Sequence, residues 1–126
     1  MSLRTPLANA RGLGSAKEGV DHWWKQRLTA VALVPLFLWF GFSVALLGTA
    51  DYYTVVGWLG HPVNAVLMIL VLAVGFWHGA LGLQVVIEDY VATHWKKVTA
   101  LLLVQFAAVI LALAGIFAVL RIALGA

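Results

Sequence analysis

Three apolar runs divide the chain, and each is near the length that a membrane helix needs. Leu28 to Leu47 is apolar over roughly the 20 residues of a bilayer span. Pro35 lies inside this run and removes one backbone donor, which predicts a kink. The second run covers 62–90 and exceeds what a bilayer requires, so it tilts or emerges at its C-terminal end. The third, about 98–120, is mostly Leu, Ala and Val with one Gln105, and Arg121 ends it. The pattern predicts an all-α membrane protein with three transmembrane helices.

The stretches between the runs read as connections. Gly48 to Gly60 carries Asp51, Tyr52, Tyr53 and Trp58 but no Lys or Arg. Val91 to Lys97 carries His94, Trp95, Lys96 and Lys97. Residues 1–22 form an N-terminal segment with Arg4, Arg11 and Lys17, and 23–126 form the anchor domain. The segment lacks the apolar core of a cleaved secretory signal and reads as a cytoplasmic tail. Gly12-Leu13-Gly14 has no following Lys-Ser/Thr and no preceding strand, so it is plain loop rather than a phosphate cradle. Before the first span, Trp23 and Trp24 suit the headgroup layer, and Lys25 and Arg27 can reach outward.

Composition sharpens this picture. Hydrophobic residues make up 63% and charged ones only 10%, too little charge to cover a water-soluble domain. The mean hydropathy is +1.00. Little room remains for a soluble catalytic domain. The formal charge of +3 sits mainly at the N-terminal end and in the second connection, so it reports topology rather than a nucleic-acid surface. Basic residues on those two segments and none on the first connection place the N-terminus in the cytoplasm and the C-terminus outside. The absence of Cys excludes disulfides, thiolate chemistry and cysteine-held iron–sulfur clusters within this chain.

Four residues then stand out. His78 is an ionisable ring at depth in an apolar segment, costly unless something binds it. It is either an axial ligand to haem iron or a ring hydrogen-bonded to a backbone carbonyl of a neighbouring helix. His22, His61 and His94 fall near the predicted span ends, so a second ligand at the depth of His78 would come from another chain. Tyr90 lies about 18 Å further along the same helix, and Asp89 comes round to within about 20° of His78. Asp89 and Tyr90 are either a helix end in the aromatic belt or a proton-handling acid and a donor beside a quinone carbonyl. Arg27 either anchors the first span or pairs with an anion such as a haem propionate. Gly75, Gly79 and Gly82 around His78 would let a backbone or a flat ligand come close.

Two blocks carry a family resemblance. One is Gly19-Val20-Asp21-His22-Trp23-Trp24-Lys25-Gln26-Arg27-Leu28-Thr29-Ala30-Val31. The other is His78-Gly79-Ala80-Leu81-Gly82-Leu83-Gln84-Val85-Val86-Ile87-Glu88-Asp89-Tyr90-Val91. Together they resemble the hydrophobic membrane-anchor subunit of succinate dehydrogenase, respiratory complex II, in its approach to the first helix and in its second-helix signature. The resemblance implies that His78 ligates haem b opposite a histidine of a partner cytochrome b-type subunit. It implies that Tyr90 hydrogen-bonds ubiquinone, that Asp89 is the acid beside it, and that Arg27 lies near the haem propionates. The implied partners are that cytochrome subunit, an iron–sulfur subunit and a flavoprotein. The implied activity is succinate oxidation coupled to ubiquinone reduction in a bacterial inner membrane, with no succinate or flavin site in this chain. The alternatives are a non-catalytic three-span scaffold or transporter component, with His78 as interhelical glue, and a homo-oligomeric b-type cytochrome.

Overall fold

The computed structural model describes residues 16–125. Helix α1 spans Ala16–Leu47, α2 Tyr52–Gly60, α3 Pro62–Tyr90 and α4 His94–Ala123, and no strand occurs among the described residues. Helices α1, α3 and α4 are long and apolar enough to cross a membrane, as the hydropathy pattern predicts. Helix α3 has the expected bounds. His61 holds the N-cap position with extended backbone, its Nδ1 accepts from the Val63 N–H at 3.3 Å, and Pro62 opens the helix. A proline is tolerated there because that N–H would have no intrahelical acceptor.

The other boundaries depart from the hydropathy reading. Helix α1 begins at Ala16, so residues 16–22, ahead of the apolar run, are helical. An exposed ion pair between Lys25 and Asp21, 3.0 Å apart at i,i+4 spacing, supports this polar part. Helix α4 starts at His94, a full turn before the expected Val98, and runs to Ala123. Hydropathy marks where lipid begins, whereas backbone hydrogen bonding carries a helix on into the headgroup layer. Pro35 does not end α1, which continues through it. Arg4, Arg11 and the Gly12-Leu13-Gly14 loop lie outside the described residues.

The first connection also differs from expectation, because it contains α2. Asp51 caps this helix, its carboxylate accepting from the Thr54 N–H at 2.8 Å. Trp58 of α2 stacks on Trp39 of α1 with ring centroids 5.6 Å apart, and Asn64 donates to the Trp58 carbonyl at 2.9 Å.

Helix α3 is central. Helix α1 packs on one side of it and α4 on another, while α2 folds back against α3 and α4. The buried apolar positions are few: Leu33, Ala65, Val71, Leu81 and Val119. Lipid tails are as apolar as these side chains, so helix association rests on close fit and hydrogen bonds. Gly115 supplies the close fit between α3 and α4, since a Cβ there would stand 3.0 Å from Cδ1 of Leu72. Of the three glycines around His78, an added Cβ at Gly75 or Gly79 would meet nothing within 4 Å, and one at Gly82 would come to 3.7 Å from Nε2 of Gln26.

The carboxyl of Asp51 is held below its ordinary value of 3.8, first by the Thr54 hydroxyl and then by the Thr54 backbone N–H. The ionised form is therefore the one that caps α2. Its contribution is present above the ordinary value and lost as pH falls through the lowered one. The Thr54 amide should exchange faster, after correction for intrinsic rates, on acidification and in Asp51→Ala at neutral pH. Unchanged exchange in the variant would remove the cap. Gly115→Val should push Leu72 aside and weaken α3–α4 packing by roughly 1–3 kcal/mol, read as a lower Tm in detergent.

Candidate functional site

The seam between α1 and α3 holds the polar chemistry of the interior. His78 is half-buried on the face of α3 that meets α1, and its Nδ1 lies 2.9 Å from Oγ1 of Thr29. Thr29 is only 2% exposed. Its hydroxyl oxygen is also 2.7 Å from the Lys25 carbonyl oxygen and 3.1 Å from that of Gln26. The expected neighbouring carbonyl is thus a side-chain hydroxyl, and one helix of the same chain provides it. Sequence reasoning missed Thr29 because the apolar run absorbed it. The available signal was the spacing of His22, Gln26 and Thr29, which places all three on one stripe of α1.

One turn from that contact towards the helix ends, His22, Trp23, Gln26 and Arg27 of α1 line an open groove of about 430 Å³ with Gly82 and Val85 of α3. Gly82 keeps the groove floor low, and a Cβ there would come to 3.7 Å from Nε2 of Gln26. The Arg27 guanidinium lies over the Trp23 ring, 5.2 Å from its centroid. His22 Nε2 and Gln26 Oε1 are both buried and have no hydrogen-bond partner among the described residues. Buried polar atoms of this kind call for a bound group or water. A cation beside them suits a ligand with an anionic end and further polar atoms.

Asp89 and Tyr90 sit apart from this groove. Both are exposed, Tyr90 at 84%, and neither makes a side-chain hydrogen bond among the described residues. By helical geometry Asp89 shares the α1-facing side with His78, whereas Tyr90 is turned about 120° away. The structure therefore brings His78 and Arg27 to one seam and leaves Asp89 and Tyr90 outside it, exposed at the C-terminal end of α3. Among the described residues no three His, Asp or Glu side chains gather as a metal-holding cluster. His61 and His94 stand at the starts of α3 and α4, and His22 is seven residues before Thr29, about 10 Å along α1.

The seam also fixes the relative placement of charge. It sets the N-terminal part of α1 beside the C-terminal part of α3, and α4 starts three residues after α3 ends. Lys25, Arg27, Lys96 and Lys97 accordingly share one end of the bundle, and α2 with Asp51 occupies the other.

Comparison with known proteins agrees with this architecture. Residues 1–112 match the family model described as succinate dehydrogenase/fumarate reductase transmembrane subunit. The chain is 34% identical over 126 residues to the succinate dehydrogenase hydrophobic membrane anchor subunit of Paracoccus denitrificans, covering 100% of this chain and 97% of that one. It is 32% identical over 117 residues to the subunit of the same description from Rickettsia bellii (strain RML369-C), covering 93% and 94%. It is 31% identical over 96 residues to a succinate dehydrogenase membrane anchor subunit of Reclinomonas americana, covering 74% and 80%. No solved structure gives a significant match. With three helices fit to cross a membrane and a family match over most of its length, the chain is a multi-pass membrane protein that belongs to the succinate dehydrogenase/fumarate reductase transmembrane subunit family.

Proposed function

We propose that this chain anchors a succinate:ubiquinone oxidoreductase in a bacterial inner membrane, shares haem b with a partner cytochrome b-type subunit, and helps form the ubiquinone-reduction site. The observation that carries the reading is the seam itself. An imidazole held at Nδ1 lies one turn from a groove with a guanidinium and two buried polar atoms that no described residue satisfies. His78 would hold the iron of haem b through a ring nitrogen, and Arg27 would hold its carboxylates. His22 and Gln26 offer further polar contacts at the rim. When bound, haem b supplies a one-electron centre at this depth. The other described histidines lie near helix starts or two turns away along α1, which supports an opposite ligand from the partner subunit.

The flavoprotein and iron–sulfur subunits dock on the basic end of the bundle, which faces the cytoplasm by the positive-inside rule. Electrons from succinate reach ubiquinone from their clusters. Reduction to ubiquinol takes two electrons and two protons. The exposed Tyr90 phenol donates a hydrogen bond to one quinone carbonyl, and the exposed Asp89 carboxylate relays protons from the cytoplasmic side. Both are open to another subunit, which completes the pocket.

Tyr90→Phe should lower quinone reduction up to about tenfold, the worth of one neutral hydrogen bond. Succinate oxidation with a soluble acceptor should survive, and equal loss of both activities would remove the role. His78→Leu should abolish the low-spin b-type difference spectrum of the purified complex. The rival reading, a scaffold with His78 as interhelical glue, draws on the same Thr29 contact and expects no Soret band in the parent complex.

A further inference from the structure

We infer that Thr29 is a positioning residue for His78: its hydroxyl fixes the ring tautomer and orientation so that Nε2 is left as the iron-binding nitrogen. The inference deepens the haem reading above and rests on it. A neutral imidazole carries one N–H and one lone pair, and only the lone pair can bind a metal. Which nitrogen is which depends on the partner of the other. Here the partner is a hydroxyl with a single hydrogen. The nearest acceptor for that hydrogen is the Lys25 carbonyl oxygen at 2.7 Å, the preceding-turn carbonyl that a helical threonine normally bonds. The Thr29 oxygen is then left to accept, and the group 2.9 Å away is His78 Nδ1. Nδ1 therefore carries the hydrogen, and the Nε2 lone pair is free.

Burial makes this arrangement rigid. At 2% exposure Thr29 is the most deeply buried polar residue described, and its β-branched side chain is stiff about χ1. Its carbonyl contacts come from its own helix, so the oxygen's position is set by the backbone of α1 and not by a flexible chain. A hydrogen bond from Nδ1–H to such an oxygen does two things to a metal-binding ring. It holds the plane of the ring, and it makes the other nitrogen more basic. The second effect favours the ferric state and lowers the reduction potential of the iron. A purely structural contact would give the first effect without the second.

The test uses the whole detergent-purified complex with Thr29→Val, which keeps volume and branching and loses the oxygen, and Thr29→Ser, which restores it. Two quantities are read: the midpoint potential of the haem and its rate of transfer to apomyoglobin. Thr29→Val should raise the potential and speed haem loss about tenfold, the lower range for partners of metal-bound histidines. Thr29→Ser should return both towards the parent values. If Thr29→Val fails to assemble, Thr29→Ala carries the same comparison without a crowding methyl. A parent complex whose haem depends on His78, together with unchanged potential and haem loss in Thr29→Val or Thr29→Ala, overturns this inference alone. A parent complex without haem, or with a spectrum indifferent to His78→Leu, overturns the haem reading and this inference with it.

Discussion

A histidine inside a membrane helix must find partners for both ring nitrogens, because no water is there to do it. In this chain one partner is visible. Thr29 takes Nδ1 from the facing helix, and that contact joins α1 to α3 at a level where nearly everything else is hydrocarbon. A hydroxyl suits this task better than a second ionisable group. It satisfies its own hydrogen on the α1 backbone and adds no charge to the lipid phase. The requirement of the second nitrogen is what makes the seam a candidate site rather than only a joint.

The remainder of the fold is arranged around α3 for a related reason. Apolar side chains gain little by leaving lipid for protein, so helices in a membrane cohere through shape and hydrogen bonds. Two different devices appear on the two sides of α3. Towards α4 the contact is steric, with Gly115 admitting Leu72. Towards α1 it is polar, with Gln26 beside Gly82 and Thr29 on His78. The polar device occupies the half of the seam near the basic end. Further along, α1 presents the buried Leu33. This division concentrates the costly groups where charged head groups and other subunits can reach them.

Much of this was legible in the sequence, and the failures have physical causes. The three spans follow from run length, and the second run opens on Pro62, a residue that suits the first position of a helix. Helix α2 was read as a connection, although Asp51 three residues before Thr54 is a capping arrangement; a nine-residue helix is too short for hydropathy to register. Helices α1 and α4 extend beyond the apolar runs because apolarity measures lipid depth and not helix length. Among the candidate site residues, His78 and Arg27 are visible because charge or ionisability is conspicuous in an apolar run. Thr29 and Gln26 are not, because a single threonine or glutamine hardly alters local hydropathy. Their roles depend on which face of α1 meets α3, and that is a tertiary fact.

The seam and the rim also explain why such a small chain reads as a fragment of something larger. The guanidinium, the orphaned His22 nitrogen and the Gln26 oxygen surround a groove that stays open to one side. Tyr90 carries its phenol almost wholly exposed at the end of a helix, and Asp89 is exposed beside it. An enzyme that worked alone would enclose such groups, because a dry and bounded pocket is what gives a phenol or a carboxylate its leverage over a bound carbonyl. Here the orienting contact behind His78 comes from this chain's own α1. In the proposed reading that arrangement is sensible. The anchor fixes the one geometry that must be accurate before assembly, the ring of His78, and leaves to neighbouring subunits the walls that only assembly can close.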